Sequence, residues 1–498
     1  MSIFKTLLLH EILQQIKTLK FILLIVVSLA LSIVIGYLNI NNYVDRHENY
    51  LEEVRKAEEA KKGYRVYSEF NMPVFNPPNP LSIFAKGYDE NADDRYDISP
   101  VKLPIPQSIS VTNNPLMVIF NSLDLIQMIA VIFSVWVLLM TAGVIVGEKE
   151  DTTIKLIFAN NVGRLEYFLA KYLGALIPLI LALLLSFITV ILMILFNSGI
   201  SVNAAFFLKI LLLIFSSIIF LSFYILLGLT ISSISKTSSG AIIASLFIWV
   251  ILVFIYPNTV NYLVTSYTKT TSEDEFISNN EALIKDAVSG RIKWMTEHGT
   301  GGRCWTVMSL DDNLYTGIMK FAICNKTSME FFLKVNNEFL PEIFSLQDQL
   351  LNNHIDFENE KLKQLRVFKG FTFFLPNAIF TSSCENFCDT SIKSEFTDFW
   401  DKVRIYRQSI MEYLDDKKVY GYKFFTTVPE KLIGDFENLE QSKYNYDETD
   451  IRIDIEDAPR FSYLKKTSIP IEAIGLLILN LIVFGTGIYI FNTKSLIA

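Results

Sequence analysis

Six stretches of the chain run for about twenty residues with few or no charged side chains. A helix needs about 20 mostly apolar residues to cross the hydrocarbon core of a membrane. Six such runs are too many for the buried helices of a soluble protein, so the pattern predicts six membrane-spanning helices. The predicted spans are residues 21–40, 118–146, 172–196, 207–232, 239–257 and 470–492.

Residues 1–20 precede the first span and have their own helical periodicity. Their apolar residues share one face, while Lys5, Glu11 and Gln15 lie largely away from it. A segment of this kind is expected to lie flat in the cytoplasmic membrane interface. No small-residue cleavage site follows the first apolar run, so the segment is not expected to be a cleaved signal peptide.

Basic side chains gather on one side of the predicted spans. That side holds nine Lys and Arg against five acids, a net charge of +4 (9 − 5), although the whole chain carries −8. Because basic loops remain in the cytoplasm, this side and both termini are predicted to be cytoplasmic. The protein is then a multi-pass protein of the plasma (inner) membrane, with a cytoplasmic segment at 147–171 and a tail at 493–498.

The same topology leaves two long extracytoplasmic segments, at 41–117 and 258–469. The second is long enough to form a domain. Hydrophobic spacing predicts three helices and one strand in them. The helices are near 46–61, at Glu342–Phe368 and at 396–413, and the strand is Ile451–Glu456. The fold class is therefore an all-α polytopic membrane protein with six transmembrane helices and a helix-rich α+β extracytoplasmic domain.

All four cysteines, Cys304, Cys324, Cys384 and Cys388, lie in the second extracytoplasmic segment. An oxidising compartment permits disulfides there. Two bridges are expected, and among the three possible pairings we favour Cys304–Cys324 with Cys384–Cys388. Buried free thiols are the alternative, and a zinc site lacks the usual C-x2-C spacing.

Enzymatic and nucleic-acid-binding functions find little support in the composition and motifs. The net charge of −8 argues against nucleic acid as a partner, because a phosphate backbone requires a basic surface. Gly143 and Gly147 have the wrong spacing for a phosphate-binding loop, so the chain is expected to bind no ATP and to be no enzyme by itself. His354 and Glu358 share a helix face, but at most two ligands converge, so we expect a solvated face and no metal.

Two charged positions lie at the ends of the second span. Asp124 is a candidate for substrate contact because ionisable groups at membrane depth are functional candidates, although we favour a helix-end role. At the other end, the run Gly147-Glu148-Lys149-Glu150-Asp151 marks where the chain leaves the bilayer. A short amphipathic segment follows it, and a surface helix bracketed by charges suits docking into a partner's groove.

The stretch Gly147–Leu156 resembles the end of the second span in ABC-2-type permease subunits of ABC transporters, which reads G-E-(R/K)-E-x-G-T-(L/I)-(R/K)-x-L. Thr152 stands where that family usually has Gly. Four further segments are similar to others in the family, the last two to its subgroup with large outside domains. They are Asn160–Arg164, Lys171–Gly174, Asn79–Gly87 and Ala458–Phe461.

The resemblance implies a type V exporter-like fold in which this segment and the N-terminal interfacial helix meet an ATPase. It implies ATPase-coupling roles for Glu148, Lys149, Glu150, Lys155 and Arg164. The alternative is that these charges only cap helices and follow the positive-inside bias. It also implies ABC ATPase subunits carrying ATP and Mg²⁺ on the cytoplasmic face. A second permease copy or a homologous permease would lie beside the chain in the lipid.

The function implied is export of a lipid-like, peptide or drug-like substrate. Candidate residues lining the pathway are Trp136, Phe247, Trp249 and Phe254, for which lipid-facing or packing roles are the alternative. Two other functions remain open from the sequence. One is an ATP-powered machine that acts mechanically on extracytoplasmic partner proteins without moving cargo. The other is a non-transporting membrane anchor or sensor.

Overall fold

The computed structural model describes residues 3–64, 67, 70–89, 95–100, 123–160, 162–197, 199–200, 202–268, 270–298, 326–391, 398–417 and 471–493. Six of its helices are long and apolar enough to cross a membrane. They are α2 (Leu19–Lys61), α3 (Leu125–Glu150), α5 (Arg164–Leu195), α6 (Ala204–Ile234), α7 (Ser238–Tyr267) and α12 (Ile471–Thr493). The chain is therefore a helix-rich, multi-pass membrane protein.

The structure describes six further α-helices and two strands. The helices are α1 (Ile3–Ile16), α4 (Thr153–Ala159), α8 (Glu273–His298), α9 (Lys326–Thr372), α10 (Pro376–Cys388) and α11 (Asp398–Asp416). Two short strands, β1 (Met72–Phe75) and β2 (Arg95–Ile98), pair antiparallel. The helix predicted at Glu342–Phe368 is confirmed within α9, and the one predicted at 396–413 is confirmed from Asp398 onward by α11. The predicted strand and Ala458–Phe461 lie outside the described residues.

Helix α6 forms the centre of the bundle and packs against α3, α5, α10 and α12. Its large side chains fill the core, where Phe220 and Tyr224 are fully buried. Helix α7 lies at the periphery. Only 11% of its most apolar window is buried, against 61% for α3 and α6, so most of its apolar surface faces away from this chain.

Helix α2 is longer than a membrane crossing requires. It continues without a break to Lys61, so the helix predicted near 46–61 is the end of the first span itself. The part beyond Ile40 adds about 30 Å at 1.5 Å per residue. Glu53 on this extension forms an ion pair with Arg95 of β2 at 2.7 Å, which attaches the extension to the strands.

Strand β2 joins the first extramembrane segment to the second. Tyr96 packs edge-on against Trp400 of α11, with ring centroids 5.0 Å apart, and burial raises its pKa. Gln347 of α9 donates a hydrogen bond to the carbonyl of Ser99 at 3.0 Å and accepts one from Arg407 of α11 at 3.1 Å. The two segments therefore form one packed assembly.

Helix α10 packs among the membrane helices, which differs from the expectation that all of 258–469 lies outside the membrane. It runs antiparallel to α6, with Phe380 stacked on Phe220 at 4.2 Å between ring centroids and Asp389 ion-paired with Lys209. Its first turn contacts Tyr224, which lies about 30 Å along α6 from Ala204. Together α9 and α10 form a helical hairpin that enters the bundle and leaves it again.

The segment Asn79–Gly87 docks onto the far end of α10. Asn79 caps a short 3₁₀ turn by accepting from the amide of Leu81, and its Nδ2 donates to the carbonyl of Cys388 at 2.6 Å. Gly87 has φ +54, and a Cβ there would lie 2.3 Å from the carbonyl oxygen of Thr390. Glycine is needed at this position both for its conformation and for the close approach.

Two predictions about side chains of the second extramembrane segment are wrong. Cys384 and Cys388 are buried free thiols, because residues four apart on a helix have Cβ atoms about 5–6 Å apart, whereas a disulfide needs about 3.5–4.5 Å. Cys304 and Cys324 lie outside the described residues. His354 is buried and packs 4.4 Å from the Trp400 ring, so it does not lie on a solvated face. The side chain of Glu358 is not among those described.

Candidate coupling site

The charged run ends α3 in a tight turn. Helix α3 stops at Glu150, and Thr152 then adopts a left-handed conformation with φ +57 before α4 begins. A β-branched residue is strained there, whereas glycine is not. The turn geometry thus gives a physical reason for the glycine that ABC-2-type permeases usually have at this position.

Glu148 lies in a buried cluster of charges that joins three helices. Lys171 of α5 forms ion pairs with Glu11 of α1, at 2.6 Å, and with Glu148 of α3. The side chains of Lys171 and Glu11 are only 1% and 3% exposed, and that of Glu148 is 19% exposed. Tyr167 donates its hydroxyl to Glu148, and the Lys171 ammonium lies 5.3 Å from its ring centroid. Such a cluster holds together only while every member keeps its partner.

Helix α1 turns Glu11 and Gln15 toward the bundle. Glu11 and Gln15 are buried, while Leu9 and Leu13 are exposed. Glu11 finds its counter-charge on α5, so this acid is satisfied inside the protein. Leu9 and Leu13 on the exposed side can face lipid, as in a helix at a membrane interface. Gly174 permits this docking, since a Cβ there would lie 2.5 Å from the Cβ of Glu11.

The neighbouring charges hold the ends of three other helices. Lys149 donates to the carbonyl of Ser233 in the last turn of α6 at 2.5 Å. Glu150 accepts from the amide and hydroxyl of Ser238 at the start of α7. Arg164 donates to the carbonyl of Asn492 near the end of α12 at 2.7 Å. Acids at helix starts and bases at helix ends complement the helix dipole. These charges therefore do cap helices, and by doing so they tie α3 and α5 to α6, α7 and α12.

Helix α4 presents two faces. Ile154 is 1% exposed and packs into the bundle core, whereas Leu156 is 68% exposed. Lys155 is also exposed, so it does not join the buried cluster. A short helix with one anchored face and one exposed apolar and basic face can bind a partner without moving away from its own bundle.

The four candidate pathway aromatics divide into two pairs. Trp136 donates its indole N–H to the carbonyl of Lys20 at 2.7 Å, and Trp249 donates to the hydroxyl of Ser134 at 2.8 Å. Both therefore join helices of this chain. Phe247 and Phe254 are 65% and 44% exposed on α7.

Asp124 is the N-terminal cap of α3. Its carboxylate accepts hydrogen bonds from the backbone amides of Gln127, at 2.6 Å, and Lys86, at 2.9 Å. This geometry supports the helix-end role over contact with a substrate, because both interactions use the carboxylate to satisfy backbone donors.

Several residues of the cluster were not singled out from the sequence. Lys171 is noted only as part of the Lys171–Gly174 motif, and Glu11 only as a polar residue of the N-terminal helix. One signal was available for each of them. A lysine at the start of an apolar span and an acid in an interfacial helix both need a counter-charge if they are buried.

Comparison with known proteins gives one family match, which covers the region of this site. A family model described as ABC-2 family transporter protein matches residues 5–295, which is more than half of the chain. The match runs from α1 through α7 into α8 and includes the whole charged cluster. No curated protein and no solved structure matches the chain.

Proposed function

Because this chain belongs to the ABC-2 family of transporter proteins, we propose that it is the permease subunit of an exporter driven by a separate ABC ATPase. The observation that carries the proposal is the set of ion pairs and hydrogen bonds that join the charged end of α3 to α5, α6 and α7, and α5 in turn to α1 and α12. A force applied to this junction reaches five helices, three of them directly from α3 and two through α5.

The ATPase docks on the exposed face of α4, with Leu156 entering a groove and Lys155 facing an acidic rim. Because Ile154 anchors α4 in the core, movement of the ATPase displaces α4 together with the end of α3. Glu148 passes that displacement to α1 and α5, and Glu150 passes it to the start of α7. ATP and Mg²⁺ belong to the ATPase, since the chain has no phosphate-binding loop.

The end of the bundle that carries α1 and α4 is cytoplasmic in this proposal, and the membrane is the plasma (inner) membrane. The excess of Lys and Arg at this end supports the orientation. A second permease, identical or homologous, covers α7, since Ile243 and Phe247 are 68% and 65% exposed. Lipid covers the rest of the apolar surface.

Exposed aromatic side chains on α7 suit a lipid-like, peptide or drug-like substrate better than a small ion. Phe247 and Phe254 would line the pathway where α7 faces the second permease. Trp136 and Trp249 instead act within the chain, because their indole groups hydrogen bond to neighbouring helices.

A second function is favoured by the length of the extramembrane helices. Helix α9 has 47 residues, or about 70 Å, and α2 leaves the membrane without a break. Rigid helices of this length would carry a movement of the bundle to an extracytoplasmic protein. An ATP-powered machine that acts mechanically on such a partner, without moving cargo, is the second candidate.

Purification from native membranes in mild detergent tests the permease proposal. We expect a protein with a phosphate-binding loop to co-purify and to hydrolyse ATP, and a Glu148→Ala/Glu150→Ala variant to lose this protein or its stimulation by the permease. An Asp151→Ala/Glu166→Ala variant removes the same charge at two exposed positions and should behave as the wild type. If no ATPase co-purifies, or both double variants behave alike, the proposal is contradicted.

A further inference from the structure

The first turn of α10 is held inside the bundle by one side chain. Asn377 donates from Nδ2 to the carbonyl oxygen of Ala130 in α3 at 2.8 Å. Its Oδ1 accepts a hydrogen bond from the hydroxyl of Tyr224 in α6. Asn377 thus uses both ends of its amide to join α10 to the two helices that flank it.

The carbonyl that Asn377 binds belongs to an irregular turn. Residues Ile129–Phe133 of α3 form a π-helical turn, a feature that interrupts the regular hydrogen bonding of a helix and often marks functional sites. The hydroxyl of Ser134 also donates to Ala130, at 2.6 Å. The carbonyl of Ala130 therefore has two side-chain donors at a point where α3 can bend.

The network continues into α7. Ser134 accepts the indole N–H of Trp249 at 2.8 Å, and a second π-helical turn, Ile251–Ile255, begins two residues after that tryptophan. The hydrogen bonds therefore run from Tyr224 through Asn377, Ala130 and Ser134 to Trp249. They connect α6, α10, α3 and α7, and both π-helical turns lie beside them.

The chain enters α10 from the extramembrane part of the protein. Helix α9 ends at Thr372, and only the turn Phe373–Leu375 separates it from α10. Tyr256 of α7 donates its hydroxyl to the carbonyl of Phe371 at 3.0 Å, so α9 also contacts α7 just beyond its π-helical turn. A movement of α9 or α7 acts on Asn377 at short range.

We propose that Asn377 is a latch that keeps α10 seated between α3 and α6, and that release of this latch is the step by which the bundle opens on the α10 side. The inference rests on the proposed ATP-driven function, which supplies the movement of α3 and α7. Bending at the two π-helical turns separates Ala130 and Tyr224, and Asn377 cannot then satisfy both. Helix α10 then loosens and α9 moves with it. Asn377 is a positioning residue in this scheme and contacts no cargo.

Hydrogen exchange of the α10 amides, measured by mass spectrometry on the purified complex with and without Mg-ATP and vanadate, tests the latch. In the wild type we expect trapping to speed exchange in α10 about tenfold. Asn377→Leu should show the fast rate without nucleotide, and Tyr224→Phe, which removes one of the two bonds, an intermediate rate. Thr381→Val is the control, because among the described residues Thr381 bonds only to carbonyls of its own helix, and its α10 should behave as in the wild type.

The outcomes separate the latch from the function on which it rests. If trapping changes exchange in α1 and α4 but leaves α10 unchanged, the latch is wrong and the permease proposal stands. If no helix responds to nucleotide, both fail. If Asn377→Leu or Tyr224→Phe leaves α10 at the slow wild-type rate without nucleotide, Asn377 is only a packing residue. Should Asn377→Leu fail to fold, Tyr224→Phe alone decides, since it keeps the aromatic ring.

Discussion

Replacing Lys171 by methionine tests the buried cluster most severely. The change keeps the bulk of the side chain but removes the ammonium that lies 2.6 Å from Glu11. Glu148 remains 19% exposed and keeps the hydroxyl of Tyr167, so most of the penalty falls on Glu11. Removing one partner of a buried ion pair costs about 3–5 kcal/mol, and we expect a loss of free energy of unfolding in that range.

Glu11→Gln in the Lys171→Met background should recover most of that loss, because replacing both members of a buried pair is often close to neutral. The free energies are measured by denaturant unfolding in mixed micelles, as a double-mutant cycle with a coupling of about 2 kcal/mol or more. Lys155→Met is the matched control, since Lys155 is exposed, and its effect should stay within about 0.5 kcal/mol. A loss below about 1 kcal/mol for Lys171→Met, or no recovery in the double variant, would refute the reasoning.

Three further predictions follow from the geometry. Thr152→Gly should stabilise the protein by about 1 kcal/mol, because it relieves the left-handed conformation at φ +57; an unchanged or lower unfolding temperature would contradict this. Gly174→Ala should destabilise by about 1–3 kcal/mol through its clash with Glu11 and should speed proteolysis within α1, whereas Gly485→Ala, which meets nothing within 4 Å, should do neither. Alkylation after denaturation, without reduction, should add two alkyl groups to the peptide containing Cys384 and Cys388, and an unmodified peptide 2 Da lighter would instead show the bridge.

The membrane helices were predictable because the absence of charge over twenty residues is itself the physical requirement for crossing lipid. The end of the second span was predictable for the same reason, because the charged run that follows it cannot enter lipid. Contacts between side chains that are distant in sequence were not predictable. The periodicity of residues 1–20 separates Glu11 from the apolar face, but it does not show that Glu11 pairs with Lys171 of α5.

Rules based on local sequence also failed where tertiary packing determines the position of a helix. Helix α10 is a 13-residue helix of moderate hydrophobicity, too short to signal membrane depth, and only its contacts with α6 place it in the bundle. Its two cysteines suggested a disulfide because they were expected to lie in an oxidising compartment. The helix that carries them holds their Cβ atoms too far apart for a bridge. The helix-cap role of Asp124 was predictable, because an acid directly before an apolar run is a common helix cap.

Site-specific photo-crosslinking in living cells tests the central claim most directly. A photoreactive amino acid at Leu156, on the exposed face of α4, should crosslink to a protein with a phosphate-binding loop. The same amino acid at Ile154, which is 1% exposed, should not. An ATPase captured at Leu156 and absent at Ile154 is the predicted result. No ATPase at Leu156, in cells where the protein is folded and inserted, would contradict the claim that α4 is the docking face.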